Sequence, residues 1–147
     1  MRKNNKNPEQ GTINCPNGDR YEGEIKRGKA NGRGIIYFAD GDRYEGELKN
    51  DKPHGHGKDF FTDGGYFEGE YKNEKWHGQG TLHFEDGNRY VGCFKKNKFC
   101  GYGKFYYANG DWYEGNWKNN KYNGHGTAYF VNGTWYEGEW KDDKFLG

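Results

Sequence analysis

The chain contains no serine, and its 147 residues include only three cysteines and one methionine. Without serine, a nucleophilic hydrolase must rely on threonine or cysteine, and neither type shows a regular pairing with histidine. Cys15, Cys93 and Cys100 are too few and too irregularly spaced for a disulfide framework, which fits a reducing compartment. Apolar residues are scarce at 31% and mean hydropathy is -1.41, values that by themselves lean towards disorder. No apolar run approaches the ~20 residues of a spanning helix, and residues 1–10 lack the apolar stretch of a secretory leader. A cytoplasmic protein is therefore expected. An excess of charge is missing too: 23 basic against 22 acidic residues leave a net +1. Nucleic acid is thus not an expected partner, and any electrostatic function must come from local patterning.

What the chain has is rings, glycines and a period. Aromatics make up 19% of residues, and each buried ring removes roughly 150–250 Å² from water, so a thin structure can still bury enough surface. Close copies of Tyr44-Glu45-Gly46-Glu47-Leu48-Lys49 start at Tyr21, Tyr44, Phe67, Tyr90, Tyr113 and Tyr136, each 23 residues after the last. A fixed interval of this size marks a stacked array of hairpin-sized units. Residues 1–10, with Arg2, Lys3 and Lys6, read as a disordered basic lead-in. A half repeat follows at 11–20, then full repeats at 21–43, 44–66, 67–89, 90–112 and 113–135, and a half repeat at 136–147. Because the last half repeat stops mid-hairpin, its edge strand is a candidate for capping by a partner or for pairing with a second copy as a homodimer.

Within a unit, positions 1, 3 and 5 are aromatic, glycine and large apolar, as in Tyr113, Gly115 and Trp117, while positions 2, 4 and 6 are mostly Glu, Glu and Lys. That period of two predicts a half-buried strand. Positions 7 to 11 carry turn residues, Gly-x-Gly opens a second strand, and Asp-Gly or Asn-Gly closes it with a tight turn. The expected fold is all-β: an elongated, single-layer antiparallel sheet of stacked 23-residue hairpins, twisted and curved. Glycines inside strands weaken a sheet unless a ring lies over the bare backbone. The rings of position 1 and of position 18 (Phe38, Phe61, Phe84, Tyr107, Phe130) are the expected covers.

The YEGE at 136–139, the KxHGxG at 75–80 and the Asp86-Gly87 dipeptide, recurring in register from Gly11 onward, resemble the MORN (membrane occupation and recognition nexus) repeat. Bacterial choline-binding modules share the flavour of Asn132-Gly133-Thr134-Trp135-Tyr136 but have shorter units without Gly-x-Gly. The MORN resemblance implies a hairpin array acting as an adaptor, as in ciliary radial-spoke, cytoskeletal, junctional-membrane and lipid-kinase contexts, or cradling a peptide along a groove. The fourth unit departs from the pattern, with Val91 and Cys93 in place of Glu and Cys100 in place of His or Asn. It is either a contact patch or drift.

No catalytic set emerges, so the chain does not read as an enzyme. Its many Glu residues recur in nearly every unit, as a solvated face does and a unique catalytic pair does not. No metal and no cofactor are expected, since histidines and cysteines never form close ligand pairs. Two features remain. The large residues of position 5, Tyr71, Phe94, Trp117 and Trp140, with Trp112 and Trp135 of position 23, are candidate protein-binding residues for a helix or extended peptide in an aromatic groove. Lysines at positions 6 and 9, among them Lys49, Lys72, Lys95, Lys98, Lys118 and Lys121, form rows suited to an anionic membrane or an acidic partner, or else neutralise Glu of positions 2 and 4. A ciliary or cytoskeletal setting, with membrane association as the alternative, is the expectation.

Overall fold

Asn and Asp tolerate left-handed backbone better than other residues bearing a Cβ, and positions 7 and 8 of most units hold such residues. The protein is described by a computed structural model over residues 9–147. In it Asn119 (φ 51°) and Asn120 (φ 69°) are both left-handed, as are Asn50 and Asp51, Lys96 and Asn97, and Asp142 and Asp143. Two successive positive φ values make a two-residue hairpin turn whose twist matches that of the flanking strands. At Asp40-Gly41 only the glycine is left-handed (φ 102°). There the Gly41 N–H donates to the Phe38 carbonyl and the Phe38 N–H to the Asp42 carbonyl, both at 3.0 Å. That is a three-residue loop with a glycine bulge. Both connections are tight as expected, the shorter one at positions 7 and 8; the second strand, expected after Gly-x-Gly, already starts at position 9.

These turns connect β1 (Glu9–Asn14), β2 (Arg20–Lys26), β3 (Lys29–Tyr37), β4 (Arg43–Lys49), β5 (Lys52–Phe60), β6 (Tyr66–Lys72), β7 (Lys75–His83), β8 (Arg89–Lys95), β9 (Lys98–Tyr106), β10 (Trp112–Lys118), β11 (Lys121–Tyr129), β12 (Trp135–Lys141) and β13 (Lys144–Phe145). All 13 form one antiparallel sheet in sequence order. Of the expected disordered lead-in, residues 1–8 lie outside the described residues, while Glu9 and Gln10 already pair with Ile25 and Glu24 in β1.

Register explains the glycines. Gly23 faces Gly34, Gly34 faces Gly46, Gly46 faces Gly57, and the pairing continues to Gly126 opposite Gly138. The result is a stripe of bare backbone across the sheet. The position 1 rings from Tyr21 to Tyr113 lie down on it: a Cβ at Gly57 would collide with the Tyr44 ring and hydroxyl, and one at Gly126 with those of Tyr113, while Tyr136 of the last unit stays 45% exposed. The rings of position 18 do not share this task. No atom of theirs is among the nearest neighbours of the strand glycines; Phe38 and Phe61 pack against the border of the core, and Phe84 stays 38% exposed. Position 18 opens the three-residue loop, which carries its ring past the glycine stripe.

Within each full unit the second strand holds extra residues beside the stripe pair, with register shifts between Gly23 and Ile25, Gly46 and Leu48, Gly69 and Tyr71, Gly92 and Cys93, and Gly115 and Trp117, whereas the glycine pairs between units are in plain register. Bulges of this kind bend and twist a sheet. In the bulged stretch the position 4 carbonyl accepts from the position 1 hydroxyl, at 2.6 Å for Tyr21 to Glu24 and for Tyr44 to Glu47. Neighbouring hairpins are also tied at both ends. The position 8 side chain accepts from the position 10 N–H of the preceding unit (Asn97 from Trp76, 2.8 Å; Asn120 from Phe99, 2.8 Å). Pro53 has no N–H to give, and there position 8 is Glu74 instead.

The stripe makes a direct prediction. Gly126→Ala forces a Cβ into a packed, fully buried ring and should lower unfolding stability by about 3 kcal/mol. Gly133→Ala has open space around it and only left-handed strain (φ 95°), so its cost should be about 1 kcal/mol in urea titrations of both variants.

Candidate functional site

Alternation divides the sheet into two unlike faces. One face carries the rings: Tyr44, Phe67, Tyr90 and Tyr113 are 0% exposed although no second layer covers them. Each is covered by its neighbours instead. Tyr90 stacks on Phe99 (centroids 3.8 Å, 10°) and meets Phe94 (5.1 Å) and Trp117 (5.3 Å) edge-on. Tyr113 repeats this with Tyr122 (3.8 Å, 6°), Trp117 and Trp140, and Phe67 with Trp76 (4.5 Å, 14°), Tyr71 and Phe94. Offset-stacked and edge-to-face pairs are the arrangements that ring quadrupoles favour.

This packing decides where the candidate rings go. Tyr71, Phe94, Trp117 and Trp140 are 1–7% exposed and belong to the core. The indole N–H groups of Trp117 and Trp140 donate to the Gly103 and Gly126 carbonyls, each at 3.0 Å. Trp112 and Trp135 point to the opposite face, so the six rings do not form one groove. On that face they end a ladder of facing pairs: Arg20 over Tyr37 (4.6 Å), Arg43 over Phe60 (4.1 Å), Tyr66 stacked on His83 (4.2 Å), Arg89 over Tyr106 (4.0 Å), and Trp112 stacked on Tyr129 (5.4 Å). Burial, with Arg89 and Lys58 nearby, lowers the pKa of His83 and favours its neutral ring. Trp135 stands 63% exposed at the end of the ladder.

A concavity does open on the ring face, but in the N-terminal units. The stacking ring of position 10 is replaced by Ala30 and Pro53 there, and a groove of about 460 Å³ remains. Tyr21, Ile36, Leu48, Pro53 and Tyr71 form its apolar lining, with Asp19, Asp51, Asp59 and Glu74 around it. Asp59 takes a position that is Ile36, Leu82, Phe105 or Ala128 in other units. Its carboxylate accepts from the Tyr71 hydroxyl (2.6 Å) and the Trp76 indole (3.0 Å). Burial raises the Asp59 pKa against the opposing pull of those two donors, and burial together with Asp59 raises that of Tyr71.

The lysines converge at the hairpin tips. Lys49 faces Lys52, Lys72 faces Lys75, Lys95 faces Lys98 and Lys118 faces Lys121, all of them exposed. Like charges directly opposite one another destabilise a sheet. Neutralisation by Glu of positions 2 and 4 does not occur among the described residues: those carboxylates pair with Arg20, Arg43, His56 and His125, and Lys52 reaches only Glu74, at 3.9 Å. In the fourth unit the Cys93 and Cys100 sulfurs lie 3.0 Å apart, a contact that the sequence reading did not foresee. Their facing positions follow from register; the seven-residue spacing alone does not reveal it.

An open all-β array of hairpins in one sheet, with a ring face and a charged face, is a repeat protein. The MORN repeat matches residues 21–43, 44–66, 67–89, 90–112, 113–135 and 136–147, and the chain belongs to the MORN-repeat family. Comparison with curated protein sequences returns no match. Among solved structures, the chain is similar to the G-box domain of the microcephaly protein CPAP, studied for a role in centriole elongation (16% identity, TM-score 0.39, 85% of this chain and 72% of that one). It is also similar to the SAS-4 (dCPAP) TCP domain of Drosophila melanogaster, solved in complex with a proline-rich motif of Ana2 (dSTIL) (11% identity, TM-score 0.35, 95% of this chain and 99% of that one). Likeness at this level bears on neither partner nor function.

Asp59 gives a pH test. A carboxyl whose pKa is raised on folding contributes stability below its unfolded pKa and loses it as the pH rises through the folded one. Asp59→Asn keeps an acceptor for Tyr71 and Trp76 without the charge. Its stability relative to the parent should therefore grow as pH rises from about 4 to about 7, in thermal melts compared across that range.

Proposed function

We propose that the chain is a non-enzymatic MORN-repeat scaffold that holds a protein segment, helical or extended, in the open groove of its N-terminal units. The observation that carries this reading is the groove itself: an apolar floor beneath four carboxylate side chains, where later units are filled by their own rings. Tyr71 forms part of its wall, and Asp59 offers a partly buried acceptor to a basic side chain of the bound segment. Apolar contact then supplies affinity and the carboxylates supply register and choice of partner. A ciliary, radial-spoke-like or cytoskeletal assembly is the setting this scaffold suits. Trp112 and Trp135, on the other face, are available to a second contact.

A second reading rests on the hairpin tips. Facing lysine pairs in which, among the described residues, Lys52 alone reaches a carboxylate suit an anionic phospholipid surface, met by Lys49, Lys72, Lys95, Lys98, Lys118 and Lys121.

The test fills the groove from within. Ala30→Phe should place a ring on Tyr21 as Phe99 lies on Tyr90, leave the melting temperature unchanged or higher, and abolish the proximity labelling of the partner seen with the parent in source cells. Partner labelling that survives in a stably folded Ala30→Phe protein sinks the groove reading. For the second reading, flotation with phosphatidylserine vesicles should fall steeply between about 0.05 and 0.5 M salt and vanish with neutral lipid.

A further inference from the structure

We propose that Cys93 and Cys100 form a reversible cross-strand disulfide within the fourth unit, made by exchange with a small anionic disulfide of the oxidised-glutathione type. The two residues face each other on β8 and β9, and their sulfurs are 3.0 Å apart. Facing residues of an antiparallel pair have Cα atoms roughly 4.5–5.5 Å apart, which lies inside the span of roughly 4.4–6.8 Å that a disulfide bridges without backbone movement. The other units place non-thiol pairs at the same two positions: Glu47 and His54, Glu70 and His77, Asn116 and Asn123. The dithiol is thus one of a kind in the array, at the place where the sequence departs from its own pattern.

Both sulfurs are within reach of solvent, since each cysteine is only half-buried. Cys100 also borders a concavity of about 340 Å³ lined by Lys95, Lys96, Lys98 and Lys118. Those ammonium groups gather an anionic disulfide beside the thiols. Burial and the contact with Cys93 push the pKa of the Cys100 thiol up to about 11, and Lys95 works against that rise. One cysteine thiolate bonds to a glutathione sulfur, breaking the S–S bond and expelling a glutathione thiolate. The other cysteine loses its proton and attacks the mixed disulfide, releasing the second glutathione. Overall two cysteine thiols give up two electrons and two protons, and one glutathione disulfide becomes two glutathione thiols. Closure ties the tip that carries Lys95 and Lys98 and fixes both charges in the lysine row. Cys15 is exposed on a separate turn and takes no part.

Trypsin makes the test simple, because Lys95, Lys96 and Lys98 lie between the two cysteines and Cys15 falls on a distant peptide. The full chain is incubated with oxidised glutathione, alkylated with iodoacetamide and digested without reductant. The expected product is peptide 90–95 joined to peptide 99–104, separated by dithiothreitol, from a monomer that has lost two hydrogens across this pair. Cys93→Ala should instead hold glutathione on Cys100. Alkylation of both Cys93 and Cys100 after oxidation, stable glutathione on each, or a 90–95 to 99–104 link found only in covalent dimers overturns the proposal.

Discussion

An aromatic ring lying flat on two facing glycines is the contact on which this sheet depends. Any Cβ in the stripe from Gly23 to Gly126 would hold the ring away from the backbone, and the ring would lose the cover that lets a single layer exclude water. Because the ring lies low, position 5 rings can meet it edge-on and position 10 rings can stack above it. The bulge that makes room for this packing also frees a carbonyl, which the same tyrosine then satisfies through its hydroxyl. Among the described residues no buried side-chain polar atom is left without a partner, as a stable thin sheet requires.

Function follows from where this packing is complete and where it is not. In units three to five the rings seal the face, and Tyr71, Phe94, Trp117 and Trp140, which look like a docking surface in the sequence, become core. In units one and two, Ala30 and Pro53 leave the stack unfinished and the groove opens beside Asp59. An extended partner meeting this array therefore encounters three distinct textures: an acidic apolar groove, an arginine and aromatic ladder on the opposite face, and lysine pairs along the hairpin tips. Such separation lets one small scaffold address chemically different surfaces at once.

The repeat, its period, the all-β class and the role of the position 1 rings were legible in the sequence, because the glycines and rings recur in register and leave few alternatives. The turns were harder. Asp-Gly is the stronger turn signal, yet Asn119-Asn120 and its equivalents form the shorter connection, since two successive residues other than glycine accept left-handed backbone there. Position 18 rings miss the stripe because the loop begins with them, a matter of strand length that alternation does not encode. Among the described residues the lysines do not meet the Glu of positions 2 and 4; Arg20, Arg43, His56 and His125 take six of those carboxylates, and Lys52 reaches Glu74 of the next turn instead.

Sequence alone determined what each strand is made of: period two puts the rings of positions 1 and 5 on one face and the charges of positions 2, 4 and 6 on the other, and glycine every unit at the same place demands a flat cover. Only the tertiary structure decided which rings are sealed and which residues meet. Both depend on cross-strand register and on the bulges that shift it, and these bring Cys93 to Cys100 and leave a space over Tyr21 that no property of a single strand contains.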